Sequence, residues 1–278
     1  SFRRPSLSPL LQLYRWGFQP ASCSNCCRLS RQVGDGCRTI GEDSECECYS
    51  AEVAKRSGTN ERYVREWLIN QAAGGYIPHL CHHADLPPIG SCKVCSVRIK
   101  GRLVASCTYP ASAGLEVESE QDDINTDRKR LIQMLFAEGN HHCPFCEKSG
   151  NCHLQALAYH LGMQDTHFVQ VYPQHDVDAS HPDVLLDRSR CVLCELCVRA
   201  SRDIDGKSVF AMAGRGLQTH LIINSPSGQL KDSAIAVSDR AMSICPVGAL
   251  MPKHQGFKVP IGERLYDHTD IAQRPEDT

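Results

Sequence analysis

The sequence predicts an α+β chain of small modules anchored by cysteine, and three observations carry that prediction. Cysteine accounts for 17 of 278 residues. After residue 80 most of it falls in C-x2-C pairs, and strand-like and helix-like stretches alternate between those pairs. Cysteine this abundant means a disulfide scaffold or metal ligation. Disulfide scaffolds are usually small and irregularly spaced, whereas the neighbouring thiolates of C-x2-C suit a metal. Ligation implies a reducing compartment, so a cytoplasmic chain is expected, soluble or held at a membrane through other subunits.

Length and charge narrow the rest. The chain has room for two or three small domains. Its net charge of −2 argues against nucleic acid as the main partner. No run approaches the roughly 18 apolar residues of a membrane span.

Residues 1–49 are expected to be unassigned and unstructured; residues 1–34 hold five arginines and no acid, a composition like that of an organelle transit peptide. Residues 50–73 read as two helices: Ala51–Arg56, a turn at Ser57–Gly58–Thr59, and Glu61–Gln71 capped by Asn60. Ala54, Gly58 and Val64 fit a helix-turn-helix, but a plain amphipathic pair with Val64, Trp67 and Leu68 inward is the preferred reading. Residues 74–118 alternate in strand fashion about a hairpin turn at Lys100–Gly101. In 119–164, Asp122 or Asp123 is expected to cap a helix reaching Phe136, with Leu131, Met134 and Leu135 on its inner face. A second helix, His153–Leu161, follows. In 165–250, a connector through residue 190 precedes a helix after the next cysteine group, a hairpin about Gly214–Gly216 and a helix Ser233–Ser243. Residues 251–278 form a tail.

Three ligand sets emerge. The first is Cys81, Cys92, Cys95 and Cys107 in CHHADLPPIGSCKVCSVRIKGRLVASC. Four thiolates satisfy a 2Fe–2S cluster, two per iron, and small neighbours Gly90, Ser91 and Ser96 let backbone amides approach the sulfurs. A structural zinc site fits the thiolate count but not the long first loop. The second set is Cys143, Cys146 and Cys152 in HHCPFCEKSGNC. Three thiolates leave one iron of a 4Fe–4S cubane without a ligand, and a neutral imidazole upstream can complete it. His141 is the candidate, since His142 abuts Cys143; an ordinary surface histidine pair is the alternative. The third set is the triplet Cys191, Cys194 and Cys197 in CVLCELC, closed by Cys245 in ICPVGAL. A C-x2-C-x2-C triplet with a remote Cys-Pro is how a bacterial ferredoxin-like module holds one 4Fe–4S cluster. Ser201–Arg202 stands where a two-cluster ferredoxin continues with Cys-Pro, so a single cluster is expected here. Cys23, Cys26, Cys27, Cys37, Cys46 and Cys48 stay unassigned, with zinc on the first four as an open alternative.

Taken together, YIPHLC, GSCKVCSVRIKG, FAEGNHHCPFCEKSGNCHLQA, DRSRCVLCELCVR and ICPVGAL make residues 74–267 resemble the small diaphorase subunit of bidirectional NAD-reducing nickel–iron hydrogenases. The same three-cluster arm begins the large iron–sulfur subunit of complex I. The resemblance implies a partial β-grasp 2Fe–2S ferredoxin domain, then a small helical 4Fe–4S domain ligated by one histidine and three cysteines, then a bacterial ferredoxin-like 4Fe–4S domain. It implies a bacterial, non-catalytic electron-relay subunit. FMN and NAD would sit only on a diaphorase partner, with the hydrogenase small and large subunits as further partners. The equivalent arm of complex I or of an NAD-dependent formate dehydrogenase is the alternative. AGRG at 213–216 is too short for a dinucleotide fingerprint.

Two departures stand out. Relatives of this kind usually place the ligating histidine four residues before the first cysteine, where this chain has Gly139. They also begin with a β-hairpin and helix, where this chain has TNERYVREWLINQAAGGY. That run resembles the helix-turn-helix leader of some S-adenosylmethionine-dependent methyltransferases and points to a fusion near Gly74–Tyr76. A cluster-containing DNA-binding redox regulator is therefore the rival from another class.

Overall fold

In the computed structural model, which describes residues 76–110, 112 and 115–273, Lys100 and Gly101 both adopt left-handed backbone (φ 49° and 76°). That is the geometry of the tight turn favoured between antiparallel strands. It joins β1 (Ser96–Ile99) to β2 (Arg102–Ala105), with Ser96 opposite Ala105 and Ile99 opposite Arg102. Val97 and Ile99 alternate inward, and Arg98 pairs outward with Glu118 through an isolated bridge. The helices expected in 50–73, the irregular 1–49 and the six early cysteines lie outside the described residues.

Helix α1 (Asp122–Glu138) differs from expectation in its cap and its face. Gln121 is the N-cap and no side chain caps the helix, while Asp122 and Asp123 occupy the first turn, where they favour the helix dipole. The buried stripe is Ile124, Arg128 and Ile132 with Gln133 and Ala137; Leu131 and Leu135 flank it and Met134 is exposed. The cause is Arg128. Its fully buried guanidinium donates to Ser96 O, Ser119 O, Ser119 Oγ and Asn125 Oδ1. A polar residue therefore turns the helix onto β1, which a hydrophobic pattern does not reveal. Helix α2 (His153–His160) follows with Cys152 as its N-cap residue.

The stretch expected as a connector contains two strands, β3 (Val177–Asp178) and β4 (Val184–Asp187). Strand β4 lies between β3 and the late strand β7 (Leu250–Pro252), all antiparallel. Val184 and Leu186 point inward and are fully buried. Helix α3 (Leu196–Asp203) starts inside the cysteine triplet, and β5 (Phe210–Ala213) pairs with β6 (His220–Ile223) around Gly214–Gly216 as expected. The helix expected over Ser233–Ser243 shrinks to α4 (Arg240–Ser243), preceded by a 3-10 turn at Leu230–Asp232. The Asp205 carboxylate accepts the N–H groups of Arg240 and Ala241, starting the helix from outside its own segment. Apart from Tyr76 and Ser112, the described residues gather in one compact unit. Among the described residues no helix is long and apolar enough to cross a membrane.

Candidate metal centres

All eleven cysteines from Cys81 onward are free thiols. The open end of the β1–β2 hairpin brings Cys95 beside Cys107: register places Ser96 opposite Ala105, and Ser106 N–H donates to Cys95 O at 3.1 Å. Cys92 N–H donates to Cys81 Sγ at 3.4 Å across eleven residues of chain. The four thiols thus fall into two hydrogen-bonded pairs, Cys81 with Cys92 and Cys95 with Cys107. In each pair a neighbouring S–H holds one thiol down, Cys81 and Cys95 each to about 6, and the other is pushed up. Two thiols per iron is the donor set of a 2Fe–2S cluster. Lys93 and Gly90 take left-handed backbone in this loop (φ 58° and 64°), and an added Cβ at Gly90 would press on Thr108 at 3.1 Å.

The middle set lines one small cavity: Cys143, Cys146 and Cys152 with His141, Arg190 and Gly248. A 3-10 turn over Cys143–Phe145 presents the first two thiols, and the start of α2 presents the third. His141 Nε2 is buried without a hydrogen-bond partner. Burial, then the charge of Arg190 and the neighbouring His142, lowers its pKa to about 4, which keeps the ring neutral as a ligand requires. Burial raises the Cys143 thiol and lifts Cys152 to about 12. Arg190 binds Glu147 and Asp187, both at 2.9 Å, and its Nη1 lies 3.8 Å from Cys146 Sγ.

The third set is assembled by the sheet. Strand β4 runs toward Cys191 and β7 starts just after Cys245. Their antiparallel pairing, extended by Asp187 N–H to Ala249 O at 2.7 Å, returns the remote cysteine to the triplet. Leu193 and Glu195, between the thiols, adopt left-handed φ of 52° and 59°. Such alternation turns successive backbone N–H groups toward one side and makes an anion-binding concavity. Burial raises Cys191 to about 11 and pushes Cys194 and Cys197 higher still. Thiols this reluctant to ionise alone become ligands when iron takes the proton's place.

The three sets meet at shared contacts. His153 N–H donates to Pro246 O at 2.9 Å, joining the second set to the third, and its ring Nε2 donates to His79 O at 2.7 Å, beside the first. Arg199 reaches the carbonyls of both Cys81 and Cys194. Sequence reasoning singled out neither Arg190 nor Arg199, and the signal was slight: each stands within two residues of a ligand cysteine. Among the described residues, no three or more His, Cys, Asp or Glu side chains converge to hold a single metal ion. Cluster ligands need not converge: they bind separate irons, whereas tetrahedral zinc draws four sulfurs to about 2.3 Å of one centre.

Family models match the chain in the same order. A 2Fe-2S iron-sulfur cluster binding domain matches residues 69–122, the NADH-ubiquinone oxidoreductase-G iron-sulfur binding region 128–167, and a 4Fe-4S single cluster domain 184–251. An Rv2258c-like winged HTH domain matches residues 42–86. Relatives include the gamma subunit of the NAD-reducing hydrogenase HoxS of Cupriavidus necator, 39% identical over 216 residues, covering 74% of this chain and 89% of that protein. The mitochondrial 78 kDa subunit of the NADH-ubiquinone oxidoreductase of Candida albicans is 31% identical over 196 residues, covering 68% of this chain but 26% of that protein. Among solved structures, a chain of an NAD+-reducing [NiFe]-hydrogenase in the H2-reduced state superposes with a TM-score of 0.72 at 51% identity. That match covers 75% of this chain and 89% of the other.

Proposed function

Because this chain belongs to the family of the NAD-reducing hydrogenase gamma chain, we propose that it relays electrons between a flavin- and NAD-binding diaphorase partner and the subunits of a nickel–iron hydrogenase. Catalysis belongs to those partners, and this chain conducts. In this reading Cys81, Cys92, Cys95 and Cys107 hold one 2Fe–2S cluster. His141, Cys143, Cys146 and Cys152 hold one 4Fe–4S cluster, and Cys191, Cys194, Cys197 and Cys245 hold another. When bound, the clusters supply one-electron redox chemistry. The chain's own residues bury the thiols, aim backbone N–H groups at them and keep the three sets in contact.

The observation that carries this reading is that three thiol sets of cluster-forming number lie in one compact unit, bridged by His153 and Arg199. The domains we assign are 74–118, 119–164 and 165–250 for the three clusters, with 251–278 as a tail. The helix-turn-helix-like leader, 50–73, is of separate descent, a view supported by the winged-helix match over 42–86, and 1–49 stay unassigned.

Anaerobic reconstitution with iron counting and EPR during a reductive titration tests the reading. About ten irons in one 2Fe–2S and two 4Fe–4S signals are expected. Bound zinc without sulfide would overturn it. Cys245→Ser is expected to remove only the third signal.

A further inference from the structure

Arg199 is a buried cation with no carboxylate in direct contact among the described residues. It is 3% exposed, and it forms no ion pair among the described residues. Asp203, one turn further along α3, feels the Arg199 charge, but it is exposed and already bound by Arg202 at 2.6 and 2.9 Å. The Arg199 guanidinium donates instead to three backbone carbonyls: Nη1 to Pro87 O at 2.8 Å, and Nη2 to Cys81 O at 2.6 Å and Cys194 O at 3.4 Å. Its Nε is buried with no hydrogen-bond partner.

A charge taken out of water must be paired or neutralised, and a guanidinium cannot give up its proton. Carbonyl dipoles offset only part of that cost. The buried anion this fold brings within its reach is the Cys81 thiolate. Cys81 and Cys194, whose carbonyls the fork clamps, belong to different ligand sets, and their sulfurs lie close enough to influence one another electrostatically. A four-thiolate cluster is a buried anion, and its reduction potential follows the charge around it.

From this placement we propose that Arg199 is the shared counter-cation of the first and third clusters, one positive charge that makes both easier to reduce while its fork fixes their separation. The proposal rests on the three-cluster reading, which the iron content of the unaltered chain tests by itself. Because the charge lies between two sites, a single residue sets both potentials in the same direction. The middle cluster has Arg190 beside Cys146 and depends far less on Arg199.

The test is a redox titration followed by EPR on the full reconstituted chain, comparing Arg199→Gln and Arg199→Lys with the unaltered protein. In a loaded Arg199→Gln chain the potentials of the 2Fe–2S cluster and the third cubane are expected to fall together while the middle one stays. Arg199→Lys, which keeps the charge, is expected to retain both. No movement in Arg199→Gln, equal movement of all three clusters, or a fall in Arg199→Lys as large as in Arg199→Gln would each overturn the proposal. Should Arg199→Gln fail to take up iron, Arg199→Lys decides. Recovery of loading by lysine supports the need for a cation, and equal loss in both variants refutes it.

Discussion

The imidazole of His141 folds back over Gly139, so that its Nε2 fills the space a Cβ at Gly139 would occupy. A ring two residues further along the chain thus lies against the backbone position at which the related pattern carries its histidine. His141→Ala is expected to alter the middle cluster alone, with the other two EPR signals unchanged. Gly139→Ala is expected to displace the ring and give a weaker form of the same change, visible in the same spectra.

Gly248 belongs to the segment after Cys245, yet a Cβ there would stand 3.0 Å from Cys146 Sγ and 3.2 Å from Lys148 Cβ. Gly248→Val is therefore expected to disturb the middle cluster across the junction between sets. Iron content and the EPR signal of that site check it, and loss confined to the third cluster would contradict the packing.

Arg128 links β1, Ser119 and α1 through four hydrogen bonds from a fully buried side chain. Arg128→Met strands those acceptors, each at a cost of about 1–3 kcal/mol where water cannot reach. The expected outcome is a loss of about 3 kcal/mol in denaturant unfolding of the full chain, with the hairpin bearing Cys95 and Cys107 becoming the first region to exchange its amide hydrogens.

Asp178 pins the Leu230–Asp232 turn to β3. Its carboxylate accepts from Ser180 N–H at 2.9 Å, Ser180 Oγ–H at 2.6 Å and Leu230 N–H at 2.8 Å. Burial pushes its pKa up, but these donors pull it below the ordinary aspartate value. A carboxylate depressed in the folded state adds stability that is complete above the unfolded pKa and fades as pH falls through the folded one. Asp178→Asn is expected to lower stability at neutral pH by about 1–2 kcal/mol and to flatten the acid limb of the stability curve. Urea midpoints measured from pH 7 down to pH 3 check both.

Local chemistry explains what could be read from residues alone. A C-x2-C spacing, a Lys-Gly turn between alternating strands and a remote Cys-Pro are short-range patterns, so the hairpin and the order of the three cysteine-bearing modules were legible. The buried face of α1 was not, because a fully buried Arg128 rather than an apolar stripe defines it. The length of α4 was not, because its first N–H groups are satisfied by Asp205 from another segment. Left-handed Leu193 and Glu195 carry no glycine signature, so nothing in their residue types announces the turn. Arg199 looked like any charged helix residue until the fold enclosed it.

The pairing of β4 with β7 also dictates an order of biogenesis. Every residue of the first thiol set has been synthesised once Cys107 is made, whereas the Cys191 group stays open until Leu250–Pro252 can close onto Val184–Leu186. A long loop must shut before that site exists, so its closure is the slower event. On arrested nascent chains the first cluster is therefore expected to be inserted before the third.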